Sequence, residues 1–280
     1  MPQHDTEEDT GADLEVSSDE KEDAEQSHAL SAVSVYLVVH EEGLEELNRP
    51  AMSLWWSGVA AGIGISASVL AEGILHTTFA GHAYRAAIEN WGYTVGFVLV
   101  ILGRLQLFTE NTLTAILPLL SRRSGEMLWC TARLWSVVFL ANMAGTFASV
   151  LLAYRVGVVP PEYVEGMIAI SEHYGELSAY DSFVRGIPAG FFVAAIVWML
   201  PSARASAIFV IMMFTYLIAM GGFTHVIAGS GELFLLMLAG KLGAGHAAAV
   251  LFATLAGNIA GGTGLFALLA YGQVANEIET

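Results

Sequence analysis

Apolar runs of membrane-spanning length dominate the chain after residue 50. Short polar gaps separate six such runs, near residues 52–75, 91–119, 130–154, 183–200, 206–238 and 247–271. A helix that crosses the hydrocarbon core of a bilayer needs about 20 mainly apolar residues. The pattern therefore predicts an all-α membrane protein with six transmembrane helices, in which residues 155–182 form an acidic loop.

The second and fifth runs are too long for one straight crossing, and each carries polar residues near its centre. The second contains LFTEN at residues 107–111, and the fifth contains GFTH at residues 222–225. Irregular backbone at membrane depth is tolerated where it is buried in protein or lines a cavity. We therefore expect the second and fifth helices to be broken, with both breaks beside a substrate pathway.

Other signatures also occur twice and in the same order. ANMAG at residues 141–145 in the third run matches GNIAG at 257–261 in the sixth, and GxxxG at 58–62 in the first matches GxxxG at 186–190 in the fourth. Because three is an odd number, a second set of three helices must enter the membrane from the opposite side. The sequence thus predicts an inverted 3+3 repeat, which places discontinuous helices and the substrate site near the midplane.

Composition separates the ends of the chain from this membrane domain. Of the 280 residues 55% are hydrophobic and only 14% are charged. Residues 1–27 are strongly acidic without an apolar run, and we expect a disordered tail. Residues 28–50 mix apolar and acidic positions at helical spacing, which predicts an amphipathic interfacial helix packed on the channel body. The remaining divisions are a transmembrane domain, residues 51–272, and a C-terminal tail, residues 273–280.

The polar gaps and the cysteine content bear on location and cofactors. An even number of crossings puts both termini on one side, and the positive-inside rule favours the cytoplasm for that side by a small margin. The single cysteine, Cys130, excludes an internal disulfide and offers no metal cluster. We expect no metal, no cofactor and no nucleic-acid partner.

A few polar residues within the apolar runs are candidates for function. His225 is the only histidine predicted to lie at membrane depth. An ionisable side chain is costly there and indicates a functional site by default, so we place His225 on the pathway. Asn142 and Asn258 either hydrogen-bond between helices or contact substrate. Arg104 and Glu110 either pair with each other at the first break or face the pore.

Four segments together resemble the formate/nitrite transporter family, a set of bacterial and protist channels for small monovalent anions. The segments are LFT at residues 107–109, GFTH at 222–225, RGI to VWM across 185–199, and GNIAGG at 257–262. The resemblance covers about residues 50–272. It implies an aquaporin-like fold and a homopentamer in a bacterial inner membrane, with one pore per subunit and two apolar constrictions around a central histidine.

The resemblance also assigns pathway residues by position. It implies that Leu107 and Phe108 belong to a loop constriction, that Thr109 is the hydrogen-bonding group opposite the histidine, and that this histidine is His225. Phe223 is a further pathway candidate, and so is Ile218, which stands where members of the family have a pore phenylalanine.

Two differences from the common family pattern concern the substrate. Gln106 stands where members commonly have an acidic residue, and Ala189-Gly190 stands where Cys-Asn is frequent. Together with Arg104, these differences resemble the divergent YfdC-like branch of the family. Gln106 is, with Arg104 and Glu110, a candidate for flanking the pore.

The expected function is passage of small monovalent weak-acid anions with proton coupling, not catalysis. Moving a bare anion through a dry apolar ring costs up to tens of kcal/mol in an idealised low dielectric. Protonating a carboxylate about three units above its pKa costs roughly 4 kcal/mol. The alternative is an aquaporin-like channel for neutral solutes, which leaves His225 without a task. A remote alternative is an intramembrane hydrolase that uses Ser230, whose hydroxyl would have to converge with the base.

Overall fold

The computed structural model describes residues 30–278, and every regular element within that range is helical. The predicted all-α class is thus confirmed for the described chain, whereas the predicted tail of residues 1–27 lies outside it. In chain order the helices are α1 Ala32–Asn48, α2 Ala51–Thr78, α3 Arg85–Leu102, α4 Asn111–Thr114, α5 Ile116–Ser121, α6 Gly125–Leu151, α7 Pro161–Gly175, α8 Ala179–Met199, α9 Ala207–Met220, α10 Val226–Leu238, α11 Ala244–Ile259 and α12 Leu268–Val274. Two π-helical stretches extend α6 and join α11 to α12; they are Leu152–Val156 and Ala260–Ala267.

Four helical stretches are long and apolar enough to cross a membrane. They are Ala51–Thr78, Gly125–Val156, Ala179–Met199 and Ala244–Val274. The other two apolar runs are each divided between helices. In one, α3 ends at Leu102 and α4 begins at Asn111; in the other, α9 ends at Met220 and α10 begins at Val226. Both interruptions fall where the polar residues of the sequence predict them.

The prediction that residues 155–182 form a loop is wrong, because the segment between α6 and α8 contains the helix α7. Pro161 begins α7, where its missing N–H would have no helical partner anyway, and Glu162 in the first turn favours the helix N-terminus. The helix packs closely on α2, because a side chain at Gly73 would lie 2.5 Å from Met167. Acidic residues on the exposed face of α7 interrupt the apolar pattern, so the sequence analysis did not predict this helix.

Helix α1 is attached to the membrane domain by polar and close backbone contacts. The hydroxyl of Ser31 caps its first turn by accepting a hydrogen bond from the backbone. Midway along the helix, Gly43 lies against the backbone carbonyl of Thr114. At its last turn, Arg133 on α6 donates to the carbonyl of Leu47 over 2.6 Å. This arginine satisfies a carbonyl that the end of α1 would otherwise leave without a partner.

Glycines allow the closest contacts between the long helices. A Cβ added to Gly62 on α2 would lie 2.9 Å from the Cα of Gly145 on α6. A Cβ added to Gly190 on α8 would lie 2.7 Å from the Cα of Asn258 on α11. Real Cβ atoms do not approach a backbone so closely, so only glycine fits at both crossings. The two contacts bring α6 and α11 against the interrupted segments.

We predict that Gly62→Ala lowers the thermal unfolding midpoint of the detergent-solubilised protein. Overpacking of a tight contact typically costs about 1–3 kcal/mol, and here the obstacle is backbone, which cannot move aside like a side chain. Gly245→Ala is the matched control, since an added Cβ there meets no atom within 4 Å. Equal midpoints for the two variants would show that the Gly62 crossing is not tightly packed.

Candidate functional site

The two helix breaks begin with the same backbone turn. After α3 and α9 the chain passes through a residue of positive φ, Arg104 at 54° in the first break and Gly222 at 60° in the second. In each turn the next N–H, from Leu105 or Phe223, donates to a carbonyl of the preceding helix over 3.0 Å. Glycine adopts this conformation readily, whereas arginine does so rarely and with strain.

Asn142, fully buried on α6, holds the first break. Its Oδ1 accepts a hydrogen bond from the N–H of Phe108 over 2.9 Å, and its Nδ2 donates to the carbonyls of Gly58 and Gln106 over 2.8 Å each. The bonds to Phe108 and Gln106 satisfy backbone groups that the interrupted helix leaves open, and the bond to Gly58 ties the amide to α2. A polar backbone group without a partner at membrane depth would cost several kcal/mol.

Asn258 on α11 makes the corresponding bonds at the second break. Its Oδ1 accepts from the N–H of Val226 over 2.8 Å, and its Nδ2 donates to the carbonyls of Gly186 and Thr224 over 2.9 and 2.8 Å. Each amide therefore uses both its donors and its oxygen on backbone, and neither borders either of the two cavities described below. The structure thus shows Asn142 and Asn258 bonded to the backbone at and beside the two breaks.

The asparagine bonds also define which residues of the two breaks correspond. Gln106 takes the position of Thr224, and Leu107 takes the position of His225. The two Phe-Thr dipeptides, although identical in sequence, are therefore not structurally equivalent. The first break has the apolar Leu107 at the position where the second break has His225.

Two cavities reach the breaks from different parts of the molecule. The leucine-side cavity, of about 280 Å³, is bordered by residues that include Glu42, Arg104, Gln106, Leu107, Glu110 and Arg204. The histidine-side cavity, of about 390 Å³, is bordered by residues that include Glu72, Tyr93, Tyr174, Phe223, His225 and Glu232. Leu107 and His225 thus face different cavities.

Thr109 and His225 are hydrogen-bonded to each other, and His225 borders the histidine-side cavity. Their Oγ1 and Nε2 atoms are 2.7 Å apart, and the residues are 0% and 2% exposed. His225 also caps the N-terminus of α10, because its Nδ1 accepts from the N–H of Ala228 over 3.2 Å. Since Nδ1 is an acceptor, the ring carries its proton on Nε2 and donates it to Thr109. The hydroxyl hydrogen of Thr109 is then free to be donated to a third group.

Apolar side chains surround this polar pair. The ring of Phe97 stands edge-on to the imidazole, with the centroids 4.9 Å apart. Leu107, Ile218 and Val100 belong to the same buried apolar cluster as Phe97. Water has little access to such surroundings, so the Thr109–His225 hydrogen bond is stronger than the same contact would be in solvent.

Phe108, the other residue of the predicted loop pair, lies beside α6. Its ring packs edge-on against Trp135 and Phe139 of α6, at centroid distances of 5.6 and 5.4 Å. Phe108 borders neither cavity. Its backbone N–H is bound to Asn142 of α6. Leu107 alone of the predicted loop pair faces a cavity.

Arg104 pairs with α1 instead of with Glu110. Its Nη1 lies 3.2 Å from Oε1 of Glu42, in an ion pair whose arginine side chain is 76% exposed. Such an exposed pair contributes little to stability. Oε1 of Glu110 is buried and has no hydrogen-bond partner among residues 30–278. Arg104 and Glu110 therefore both border the leucine-side cavity but do not pair with each other. Gln106, which borders the same cavity, accepts a hydrogen bond from Asn111.

Ser230 has no geometry for nucleophilic chemistry with His225. Its hydroxyl donates to the carbonyl of Ile227 over 2.7 Å and lies 2.9 Å from the hydroxyl of Thr146. A serine nucleophile needs a hydrogen bond to its base. Both nitrogens of the His225 ring are engaged elsewhere, so the hydrolase hypothesis has no support in this arrangement.

Tyr174 and Tyr93 are cavity residues that sequence reasoning missed. Tyr174 on α7 packs over Gly229, where an added Cβ would collide with its ring, and its hydroxyl lies 2.8 Å from that of Thr254. Gly229, close to the second break, indicated that another residue packs tightly against α10 there. Tyr174 could not be identified as that residue from the sequence, because the sequence did not predict that α7 is a helix. Tyr93 follows Gly92, whose own contact with α2 is equally invisible in the sequence.

Interrupted helices that meet between two cavities define a membrane transport protein. The chain belongs to the formate/nitrite transporter family, whose sequence model matches residues 33–272. It is 36% identical over 277 residues to inner membrane protein YfdC of Escherichia coli strain K12, an alignment that covers 95% of this chain and 88% of that protein. The resemblance deduced from the sequence, including its YfdC-like branch, is thus confirmed.

Solved structures show the same fold at low sequence identity. A pentameric formate channel with formate bound matches with a TM-score of 0.70 and 22% identity, over 81% of this chain and 98% of that one. An ion channel of the same family matches with a TM-score of 0.75 and 17% identity, over 86% and 99% of the two chains. The family and these neighbours are transporters and channels rather than enzymes.

We predict that the two asparagines protect different backbone segments from hydrogen exchange. Asn258→Ala removes the acceptor for Val226, and exchange of the amides in residues 222–228 should accelerate about tenfold, because an unpaired buried group costs about 1–3 kcal/mol. Asn142→Ala should have the same effect on residues 104–110. Mass spectrometry of exchanged peptides measures both segments at once, so each variant is the control for the other. Equal effects of both variants on both segments would contradict the assignment.

Proposed function

We propose that the chain forms a membrane channel or transporter for small monovalent weak-acid anions of the formate and nitrite class. The 2.7 Å contact between Thr109 and His225, at an apolar closure between two cavities, is the observation that carries this proposal. Family membership supports the class of substrate, and so does the solved relative that is a formate channel with formate bound.

The free hydroxyl hydrogen of Thr109 would be the donor that a substrate oxygen meets. The N-terminus of α10, capped by His225, adds a partial positive charge that favours an anion at this point. A bare anion crosses dry apolar surroundings at far greater cost than the neutral acid does. The substrate is therefore held at Thr109 and passes the closure at Leu107 in its protonated form.

In this proposal His225 positions the substrate, and water in the cavity supplies the proton. The single proton of the neutral ring sits on Nε2, since Nδ1 accepts from Ala228. Giving that proton to the substrate would leave an imidazolate anion in apolar surroundings, which is strongly unfavourable. A doubly protonated imidazolium ring would point the N–H at Nδ1 towards the N–H of Ala228. Two donors would then face each other and the capping hydrogen bond would be lost.

We also propose that the two halves form an inverted 3+3 repeat of six spans with an aquaporin-like arrangement. The equivalent hydrogen bonds of Asn142 and Asn258, and the paired glycines Gly58 and Gly186 that accept them, support the repeat. In this arrangement the two cavities open on opposite faces of the membrane. We place both termini in the cytoplasm and the protein in a bacterial inner membrane.

The same proposal includes assembly of the chain into a homopentamer. A solved relative is described as pentameric, and large apolar side chains lie exposed on the described surface of the single chain. Examples of these exposed side chains are Trp56, Trp129, Phe209 and Phe252. Lipid and neighbouring subunits would cover them, with one pathway in each subunit.

We predict that proteoliposomes containing the protein take up formate faster as the pH falls, because the protonated fraction rises about tenfold per pH unit. Thr109→Val, which keeps the shape but removes the hydroxyl, should reduce the flux about tenfold, and Thr109→Ser should retain it. His225→Asn should change the selectivity or the pH dependence while the oligomer still assembles, as judged by size-exclusion chromatography.

A series of formate, nitrite, hydrosulfide, lactate and glycerol in the same flux assay separates the proposal from its alternative. Movement of glycerol alone would establish a neutral-solute channel. If no acid moves, or if acid flux is independent of both pH and His225, the proposed function is wrong.

A further inference from the structure

The carboxylate of Glu110 lacks a partner at the border of the leucine-side cavity. Its Oε1 is buried and accepts no hydrogen bond from any residue between 30 and 278. Arg104, the cation of the same break, is paired with Glu42 instead. An ionised carboxylate whose oxygen is buried without a donor is costly, and an added proton removes its charge. Glu110 is therefore suited to exchanging a proton rather than to holding the fold together.

The backbone places Glu110 next to the apolar closure. Its N–H donates to the carbonyl of Leu107 over 3.2 Å, so the two residues stand one turn apart. Leu107 belongs to the buried apolar cluster and also borders the leucine-side cavity. Thr109, the residue before Glu110, is bonded to His225, which borders the histidine-side cavity. Consecutive residues of the first break are thus linked to the two different cavities, and a solute that passes Leu107 enters the cavity bordered by Glu110.

The other charges of the leucine-side cavity differ from Glu110 in how they are neutralised. The charged side chains on its border, apart from Glu110, are Glu42, Glu46, Arg104 and Arg204. Both glutamates belong to α1 and are engaged, one by Arg104 over 3.2 Å and the other by Arg49 over 3.0 Å. Arg204 takes part in none of the ion pairs formed within residues 30–278. In that range the cavity therefore presents one carboxylate that can act as a base and one cation that can attract an anion.

We propose that Glu110 exchanges a proton with the substrate in the leucine-side cavity. The O–H bond of the neutral acid that has passed Leu107 breaks, and an O–H bond forms on the Glu110 carboxylate. The substrate leaves as the anion, attracted by Arg204 and not repelled by Glu110, which is neutral at that moment. Glu110 then gives the proton to cavity water, and passage in the opposite direction reverses these steps. The inference rests on the proposed function, because it requires a weak acid that crosses the closure.

Formate and formamide separate proton transfer from passage through the closure, because formamide resembles formic acid in size and shape but stays neutral throughout. In proteoliposomes of the full chain, Glu110→Gln should slow equilibrium exchange of labelled formate at least about tenfold, since a positioned acid–base group typically contributes more than that. Exchange of formamide should keep the wild-type rate. Glu45→Gln removes the same charge from an exposed position of α1 outside the cavity and should leave both rates unchanged.

Two further measurements distinguish proton exchange from a structural role of Glu110. Glu110→Asp keeps a carboxylate and should retain most of the formate exchange. Imidazole, a small base that takes up protons near neutral pH, should restore formate exchange in Glu110→Gln and leave the wild type unchanged. Formate exchange at the wild-type rate in Glu110→Gln would overturn the inference. So would an equal slowing of formate and formamide that imidazole does not relieve, which would indicate a structural role.

Infrared difference spectroscopy of the detergent-solubilised protein detects the proton on Glu110 without any flux. Addition of formate at slightly acidic pH should produce a C=O band of a protonated carboxyl group that shifts in D₂O and is missing from Glu110→Gln. If this band appears but no acid crosses the wild-type proteoliposomes, the proposed function fails and proton exchange at Glu110 stands. A wild-type protein that moves formate but shows no such band would overturn the inference and leave the proposed function intact.

Discussion

Backbone groups that lie at membrane depth must find partners inside the protein, and the centre of this structure depends on how two broken helices meet that constraint. Asn142 and Asn258 each satisfy three backbone groups at or beside one break. They reach the breaks because glycine contacts bring α6 against α2 and α11 against α8. Without these bonds the irregular segments would expose polar groups to an apolar medium.

The chemistry of the site follows from the geometry of the breaks. The first break contributes the hydroxyl of Thr109, and the second contributes His225 as the N-terminal cap of α10. The cap determines the tautomer of the ring, and the tautomer in turn leaves the hydroxyl hydrogen of Thr109 available. The two halves use one backbone pattern but place leucine and histidine at equivalent points, so their cavities present different chemistry to a solute.

Much of this arrangement could be predicted from the sequence, and the remainder depends on contacts between distant residues. Run length and polar interruptions predicted the breaks, and the cost of a buried ionisable group singled out His225. The equivalence of Leu107 with His225 could not be found, because the bonds that define it belong to asparagines on other helices. The pairing of Arg104 with α1 and the contact of Gly92 with the backbone of α2 at Glu72 likewise join residues whose proximity no local pattern records.

The most direct test of this account is the protonation state of the central imidazole. Nitrogen-15 NMR of histidine-labelled protein measures it, with the signals assigned by their absence from the His225→Asn spectrum. At about pH 7 we predict a neutral ring with a protonated Nε2 and an unprotonated Nδ1, as the bonds to Thr109 and Ala228 require. A doubly protonated ring, or a proton on Nδ1 alone, would contradict the hydrogen bonding on which the proposed pathway rests.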